Sequence, residues 1–167
     1  MKINQDDNEF NEIVNHILIN EEFKKMKEIE HHGVNRFDHS LKVAYYSYKI
    51  SKLLKLDYCK TARAGLLHDF FLSDESRTIK ERCLSTFVHP KQAVSKSLEY
   101  YNLSKKEINI IEGHMFPINF HIPKYAESWV VNIVDKVVSM KELSHKFGYR
   151  LNYATNLLIL FLINYIR

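Results

Sequence analysis

The sequence predicts an all-α protein of a single domain, and three observations carry that expectation. Four glycines and three prolines among 167 residues are too few for the turns of a β-sandwich or barrel. Apolar residues recur at helical spacing through most of the chain, and no alternating run is long enough to compete. Hydrophobic residues make up 46% and charged residues 26%, which is enough for a core with a solvated shell and excludes a disordered chain. The length is close to the ~100–150 residues of one ordinary domain. Residues 1–167 are therefore read as one unit of about seven helices.

The first helix is expected from Asp7 to Lys27, with Phe10, Ile13, Val14, Ile17 and Leu18 on one face. Between Glu28 and Asp38 lie Gly33 and the pair His31–His32, and Asp38 is the expected cap of a second helix ending near Leu56. On that helix His39, Val43, Tyr46, Ile50 and Leu53 share a stripe, so His39 falls on the buried face in the first turn. A third helix is expected after Asp57, running to about Phe71, with Ala62, Ala64 and Gly65 small enough for a neighbour to approach closely. The polar stretch from Ser73 to Val88, which includes Asp74 and Arg77, reads as a loop with one short helical piece. His89-Pro90 is expected to open the next helix, with proline in the first helical position and His89 projecting from the entrance. Ser104 and Glu107 form a capping box for a helix reaching His114, and Pro117 and Pro123 keep the following connection out of helix. A helix from Lys124 to Lys146 comes next, with Gly148 as its expected stop. The last helix, from Leu151 to Ile166, is apolar on most sides, which suits burial or a homodimer contact.

Charge and composition narrow the function. A net charge of +4 suits a small anionic ligand and falls short of the clustered basic footprint of a nucleic-acid binder. Met1 to Phe10 is polar and acidic, with no apolar stretch of the kind a secretory signal carries. The longest apolar run, from Leu157 to Ile163, is far shorter than the ~20 residues of a membrane span. Cys59 and Cys83 cannot make a disulfide framework, and a cytoplasmic location is the expectation.

Nine histidines carry the functional argument. His39, His68-Asp69, His89, His114 and Asp135 fall in turn on buried faces or at helix entrances, in the spacing H-x28-HD-x19-H-x24-H-x20-D. Asp135 sits at the edge of a valine stripe, where a carboxylate is costly unless it is paired or binds a cation. Imidazoles and carboxylates without cysteine suit Fe²⁺ or Mn²⁺ first, with Zn²⁺, Co²⁺ or Mg²⁺ also compatible. Six ligands exceed what one catalytic ion with open positions needs, so two divalent ions are expected, with Asp69 between them. A small anionic ligand beside the ions needs cations nearby, and Arg36 and Lys136 are the candidates. His32 and His121 are further candidates for the pocket wall.

These segments resemble the HD superfamily of metal-dependent phosphohydrolases, over a span from about Arg36 to Glu142. Arg36-Phe-Asp-His-Ser-Leu-Lys-Val-Ala44 is similar to the family's first-ligand segment, Ala64-Gly-Leu-Leu-His-Asp69 to its doublet, His89-Pro90 to its third, and Val134-Asp-Lys136 to its last. The additional His89 and His114 resemble two-metal members. The resemblance implies an all-helical HD-type bundle that hydrolyses a phosphate ester or anhydride of a nucleotide or related small molecule. It also implies a hydroxide shared by the two ions as nucleophile and Asp69 as the catalytic carboxylate. In size and ligand order the chain is nearest to bacterial symmetrical dinucleoside-tetraphosphate hydrolases, although Phe70-Phe-Leu-Ser-Asp74 lacks the lysine common there. His114-Met-Phe-Pro117 lacks the glycine-rich signature of the cyclic di-nucleotide phosphodiesterases. The same ligand order is also seen in di-iron oxygenases of the superfamily, which is the alternative reading.

Overall fold

A computed structural model describes residues 7–31, 34–72 and 79–165, with side chains described apart from those at 30–34, 79–86, 145–147 and 149–165. The described residues form seven α-helices: α1 (Asn8–Leu18), α2 (Glu21–Lys24), α3 (Arg36–Leu53), α4 (Tyr58–Leu67), α5 (Ile79–Leu98), α6 (Lys105–Gly113) and α7 (Ala126–Tyr165). A 3-10 turn, Lys25–Glu28, follows α2. The only strands among the described residues are the two-residue pair Glu30–His31 and Val34–Asn35, which run antiparallel. The all-α expectation holds.

Local chemistry explains where the elements begin and end. The N-terminal helix stops sooner than its periodicity implies, because the Asn20 side chain accepts from the backbone N–H groups of Glu22 and Phe23 and starts α2. Phe10, Val14 and Ile17 are buried as expected. The cap of α3 is Asn35 rather than Asp38: its side-chain oxygen accepts from the Asp38 N–H at 2.8 Å, and its amide donates to the Asp38 carboxylate at 2.9 Å. At the other end Lys55 adopts φ 58°, with Leu56 N–H bonded to Ser51 O and Lys55 N–H to Lys52 O, a Schellman closure. Asp57 caps α4 by accepting from the Lys60 N–H, and the capping box of Ser104 and Glu107 opens α6 as expected.

Two helices run further than the sequence implies. α5 passes through Pro90 instead of starting there, so His89 sits inside a 20-residue helix and not at an entrance. A proline removes one N–H from the ladder, and the bonds on either side carry the helix on. Residues 73–78, which include Asp74 and Arg77, lie outside the described residues. α7 is one helix of 40 residues, continuing through Gly148. No proline follows that glycine, so its cost is the ~1 kcal/mol of an interior helical glycine. The side chains of 151–165, on which the expected homodimer contact rests, lie outside the described ones. Among the described residues no helix is long and apolar enough to cross a membrane.

The core lies where α3, α4, α6 and α7 meet, with Val43, Ala44, Ala64, Leu67, Ile110, Ile111 and Val131 buried together. Gly65 sets the separation of α3 and α4, since a Cβ there would stand 3.2 Å from the Cα of Ala44. Gly65→Val should force the two helices apart at a cost of about 1–3 kcal/mol, read as a lower urea midpoint with an unchanged slope. Gly148→Ala should add about 0.5–1 kcal/mol of stability and so raise that midpoint, because an added Cβ at this helical position meets nothing within 4 Å.

Candidate metal centre

Five separate stretches of chain deliver the six candidate ligands to one place. His39 lies in the first turn of α3. His68 caps the C-terminus of α4, and Asp69 follows in the turn. The doublet therefore sits just beyond the helix and not within it. α5 supplies His89, His114 caps the C-terminus of α6, and α7 supplies Asp135. All are buried except His89, which is partly exposed.

Three ligand groups form within this cluster: His39 with His68 and Asp69, His68 with His114 and Asp135, and Asp69 with His89 and His114, each having its donor atoms within 4.8 Å of one another. Asp69 faces two ways. Its Oδ2 lies 3.8 Å from His68 Nε2, and its Oδ1 lies 3.6 Å from His89 Nε2 and 3.7 Å from His114 Nε2. Asp135 Oδ1 lies 3.1 Å from His39 Nε2 and 3.7 Å from His68 Nε2.

The hydrogen bonds fix which ring nitrogens are available. His68 Nδ1 donates to Gly65 O at 2.8 Å, and His114 Nδ1 donates to Ile111 O at 2.6 Å. In the neutral rings both Nε2 atoms then carry lone pairs turned towards the carboxylates. His68 Nε2 is buried without a hydrogen-bond partner. Burial, with His68 close by, pushes the His114 pKa down to about 3, so this ring stays neutral and keeps its donor electrons. His89 Nε2 stands 3.1 Å from His114 Nε2. Lone pairs and carboxylate oxygens converging in a buried space need positive charge between them. Such a donor set fits divalent cations.

His39 supplies some of that charge in this structure. Its Nδ1 bonds Glu142 at 2.9 Å and its Nε2 bonds Asp135 at 3.1 Å. Burial opposes the charge, but these two carboxylates outweigh it and raise the pKa from its ordinary 6.5 to about 9. Asp135 is held well below the usual carboxylate range, its bond to His39 and the nearness of His68 outweighing its burial. Lys42 bonds the other oxygen of Glu142 at 2.7 Å. Glu142 is the residue that sequence reasoning missed as a functional group. The available signal was its place on α7, seven residues beyond Asp135 and so two turns along the same face.

The remaining candidates sit around this centre. Arg36 is 6% exposed; its Nη1 donates to Phe71 O at 2.7 Å, and its guanidinium lies 4.0 Å from the Phe71 ring centroid. Phe71 in turn stacks on His89 with centroids 5.4 Å apart. Lys136 Nζ donates to His114 O at 3.1 Å and Asn132 O at 3.3 Å, which ties it to the turn bearing His114. Burial lowers the pKa of both cations. Asn132 holds the same turn through Gly113 O, His114 O and Phe116 O. His121 lies beside Glu112 at 3.1 Å, on the wall of a separate cavity. His32 lies outside the described residues.

In protein freed of divalent metal, His39 binds its proton more tightly folded than unfolded. Its contribution to stability is therefore complete below pH 6.5 and is lost as the pH rises through about 9. Urea midpoints of the metal-free protein should fall across that window, and Glu142→Gln should flatten the fall by removing one of the two carboxylates. A flat profile in the native chain would show that His39 is not charged between Asp135 and Glu142.

The HD domain profile matches residues 36–140, a span that includes all six candidate ligands and stops short of Glu142. No curated protein and no solved structure gives a significant match. HD domains are mostly metal-dependent hydrolases and bind divalent metals. With that match covering more than half of its length, the chain belongs to the HD domain family.

Proposed function

We propose that this protein is a two-metal phosphohydrolase that cleaves a phosphate ester or anhydride of a nucleotide or related small molecule. The observation that carries the reading is the pair of ligand groups His39–His68–Asp69 and Asp69–His89–His114, which have Asp69 alone in common. His39, His68 and Asp135 would hold the first ion and His89 and His114 the second, with Asp69 available to both groups. Divalent ions in such a site supply Lewis acidity towards a phosphoryl oxygen and lower the pKa of bound water. Iron or manganese suits the imidazole–carboxylate donors best.

The residues of this chain perform the rest. The carbonyls of Gly65 and Ile111 fix the tautomers of His68 and His114, so both rings present Nε2 without rearrangement. Glu142 orients His39 from behind by accepting from Nδ1, the carboxylate–histidine arrangement that raises ligand basicity. Arg36 retains a buried Nε without a hydrogen-bond partner, and the Lys136 ammonium has three donors, with His114 O and Asn132 O as its acceptors here. These two cations neutralise the substrate phosphates.

Metal analysis tests this reading together with a phosphate-release screen over mononucleotides, cyclic dinucleotides and dinucleoside polyphosphates in Mn²⁺, Fe²⁺ and Co²⁺. His89→Ala and His114→Ala should each reduce the metal content from about two ions per chain to about one and lower kcat by about 10³. Asp69→Ala should disturb both ions. Circular dichroism should stay near that of the native protein in all three, since none empties a large core volume. A His114→Ala protein that keeps two ions and near-normal turnover would return His114 to a packing role.

A further inference from the structure

We propose that the outer face of α7 is the interface between two copies of this chain, which pair helix to helix along a seam that begins at Ile133 and follows the helix towards Tyr165. The proposal is independent of the phosphohydrolase reading, because the seam lies on the side of α7 away from Asp135 and Glu142.

α7 has two apolar sides. Val131, Val134, Asp135, Val138 and Glu142 are buried and follow one another at i, i+3, i+4, i+7 and i+11, a single stripe of a helix. α3, α4 and α6 are the helices that α7 packs on. Trp129, Ile133, Val137 and Met140 form a second stripe, at i, i+4, i+8 and i+11, which lies about 180° around the helix from the first at about 100° per residue. All four are exposed, Ile133 by 56% and Met140 by 71%. Phe116 widens this surface, its ring lying edge-on to Trp129 with centroids 5.6 Å apart. The solvated face of a helix ordinarily carries polar residues, and apolar side chains in unbroken succession along it mark a contact surface.

The sequence of α7 indicates what covers that stripe. Val137, Ser144, Leu151, Leu158 and Tyr165 stand seven residues apart. Ile133, Met140, Phe147, Ala154 and Phe161 form a second series with the same period, offset so that steps of four and three alternate. Ser144 is the one small polar member. A strict period of seven keeps an apolar seam in step with another long helix wound beside it. From Ile133 to Tyr165 the repeat outlasts the roughly three to four heptads that distinguish a coiled coil from a short amphipathic helix.

The occupant must match α7 in length. α7 has 40 residues, about 60 Å of helix, whereas α5, the next longest among the described residues, has 20 and packs on α6. A second α7 has the length and the same repeat, and a two-fold axis beside the helix lets each copy offer the seam that the other needs. A lipid surface fits less well. Helices that lie on membranes set a strongly charged, solvated face opposite the apolar one, whereas the face opposite this stripe is buried in the domain.

Sedimentation velocity on the full chain tests the proposal. At micromolar concentration the native chain should sediment with twice the mass of one chain. Ile133→Glu and Met140→Glu each set like charges across the seam and should reduce that mass to a single chain, while Met140→Leu stays dimeric. Circular dichroism and metal content should be unchanged in all three, because both side chains are exposed and face away from the candidate ligands. Trp129 is the chain's single tryptophan and lies beside the seam, so its emission in the native chain should move to the red as dilution separates the dimer; this reading needs no variant to fold. A native chain that sediments as one copy would overturn the proposal, and one that also binds phosphatidylcholine vesicles would assign the stripe to a lipid surface instead. Dimers that persist in both glutamate variants, or that separate with no change in Trp129 emission, would place the interface elsewhere and equally overturn it.

Discussion

The organising constraint of this fold is the burial of several electron-pair donors at a single point. Asp69, Asp135, His68 and His114 would each be tolerable alone with a hydrogen-bond partner. Together they place oxygens and ring nitrogens within 4.8 Å of one another, in groups that need positive charge between their members. The helices are arranged to make that concentration possible. Gly65 lets α4 approach the Ala44 backbone, which brings His68, capping α4, to within 5.4 Å of His39 between ring centroids. α6 ends at its capping histidine, with 4.9 Å between the ring centroids of His68 and His114.

A layer of partners around the cluster keeps those donors aimed. Backbone carbonyls near the ends of two helices, Gly65 O and Ile111 O, each take the Nδ1–H of a histidine three residues later. The histidines that end α4 and α6 thereby use the carbonyls a helix terminus leaves free, and the helix end and the ring orientation are set by one bond. Asn132 and Lys136, a turn apart on α7, fasten the connection after His114 from the other side. Lys42 and Glu142 do the same for His39. Three of the candidate ligands, His39, His68 and His114, are thus positioned by groups that need not touch a metal, which is what preorganised coordination requires.

The candidate cluster was legible because ligand chemistry needs particular residue types, and histidine and aspartate stand out on apolar stripes. His39 and Asp135 could be placed from helical spacing alone. The ends of elements were harder, because they depend on competition between neighbours. Asn35 and Asp38 can both cap a helix, and only the fold shows that Asn35 accepts while Asp38 lies inside the first turn. Pro90 and Gly148 are local stop signals that longer helices override, since one lost hydrogen bond or one flexible residue costs less than ending a helix. Glu142 went unnoticed because a glutamate near the end of a charged stretch reads as solvent-exposed. Its burial depends on Lys42 and His39, about a hundred residues away in sequence, and no local pattern encodes that.

Charge balance links the buried cluster to the kind of molecule it would attract. Without metal, Asp69, Asp135 and Glu142 are offset by the His39 imidazolium and by Lys42, Arg36 and Lys136, so the region is close to neutral. Two divalent ions would release the proton from His39 Nε2, because that nitrogen cannot hold a proton and a metal together. The three carboxylates would then face the two ions as well as the lysines and arginine, and positive charge would prevail. Sequestered among apolar side chains, that excess is poorly screened. An anion entering on the side of partly exposed His89 would meet it undiminished, whereas a neutral group would gain nothing there.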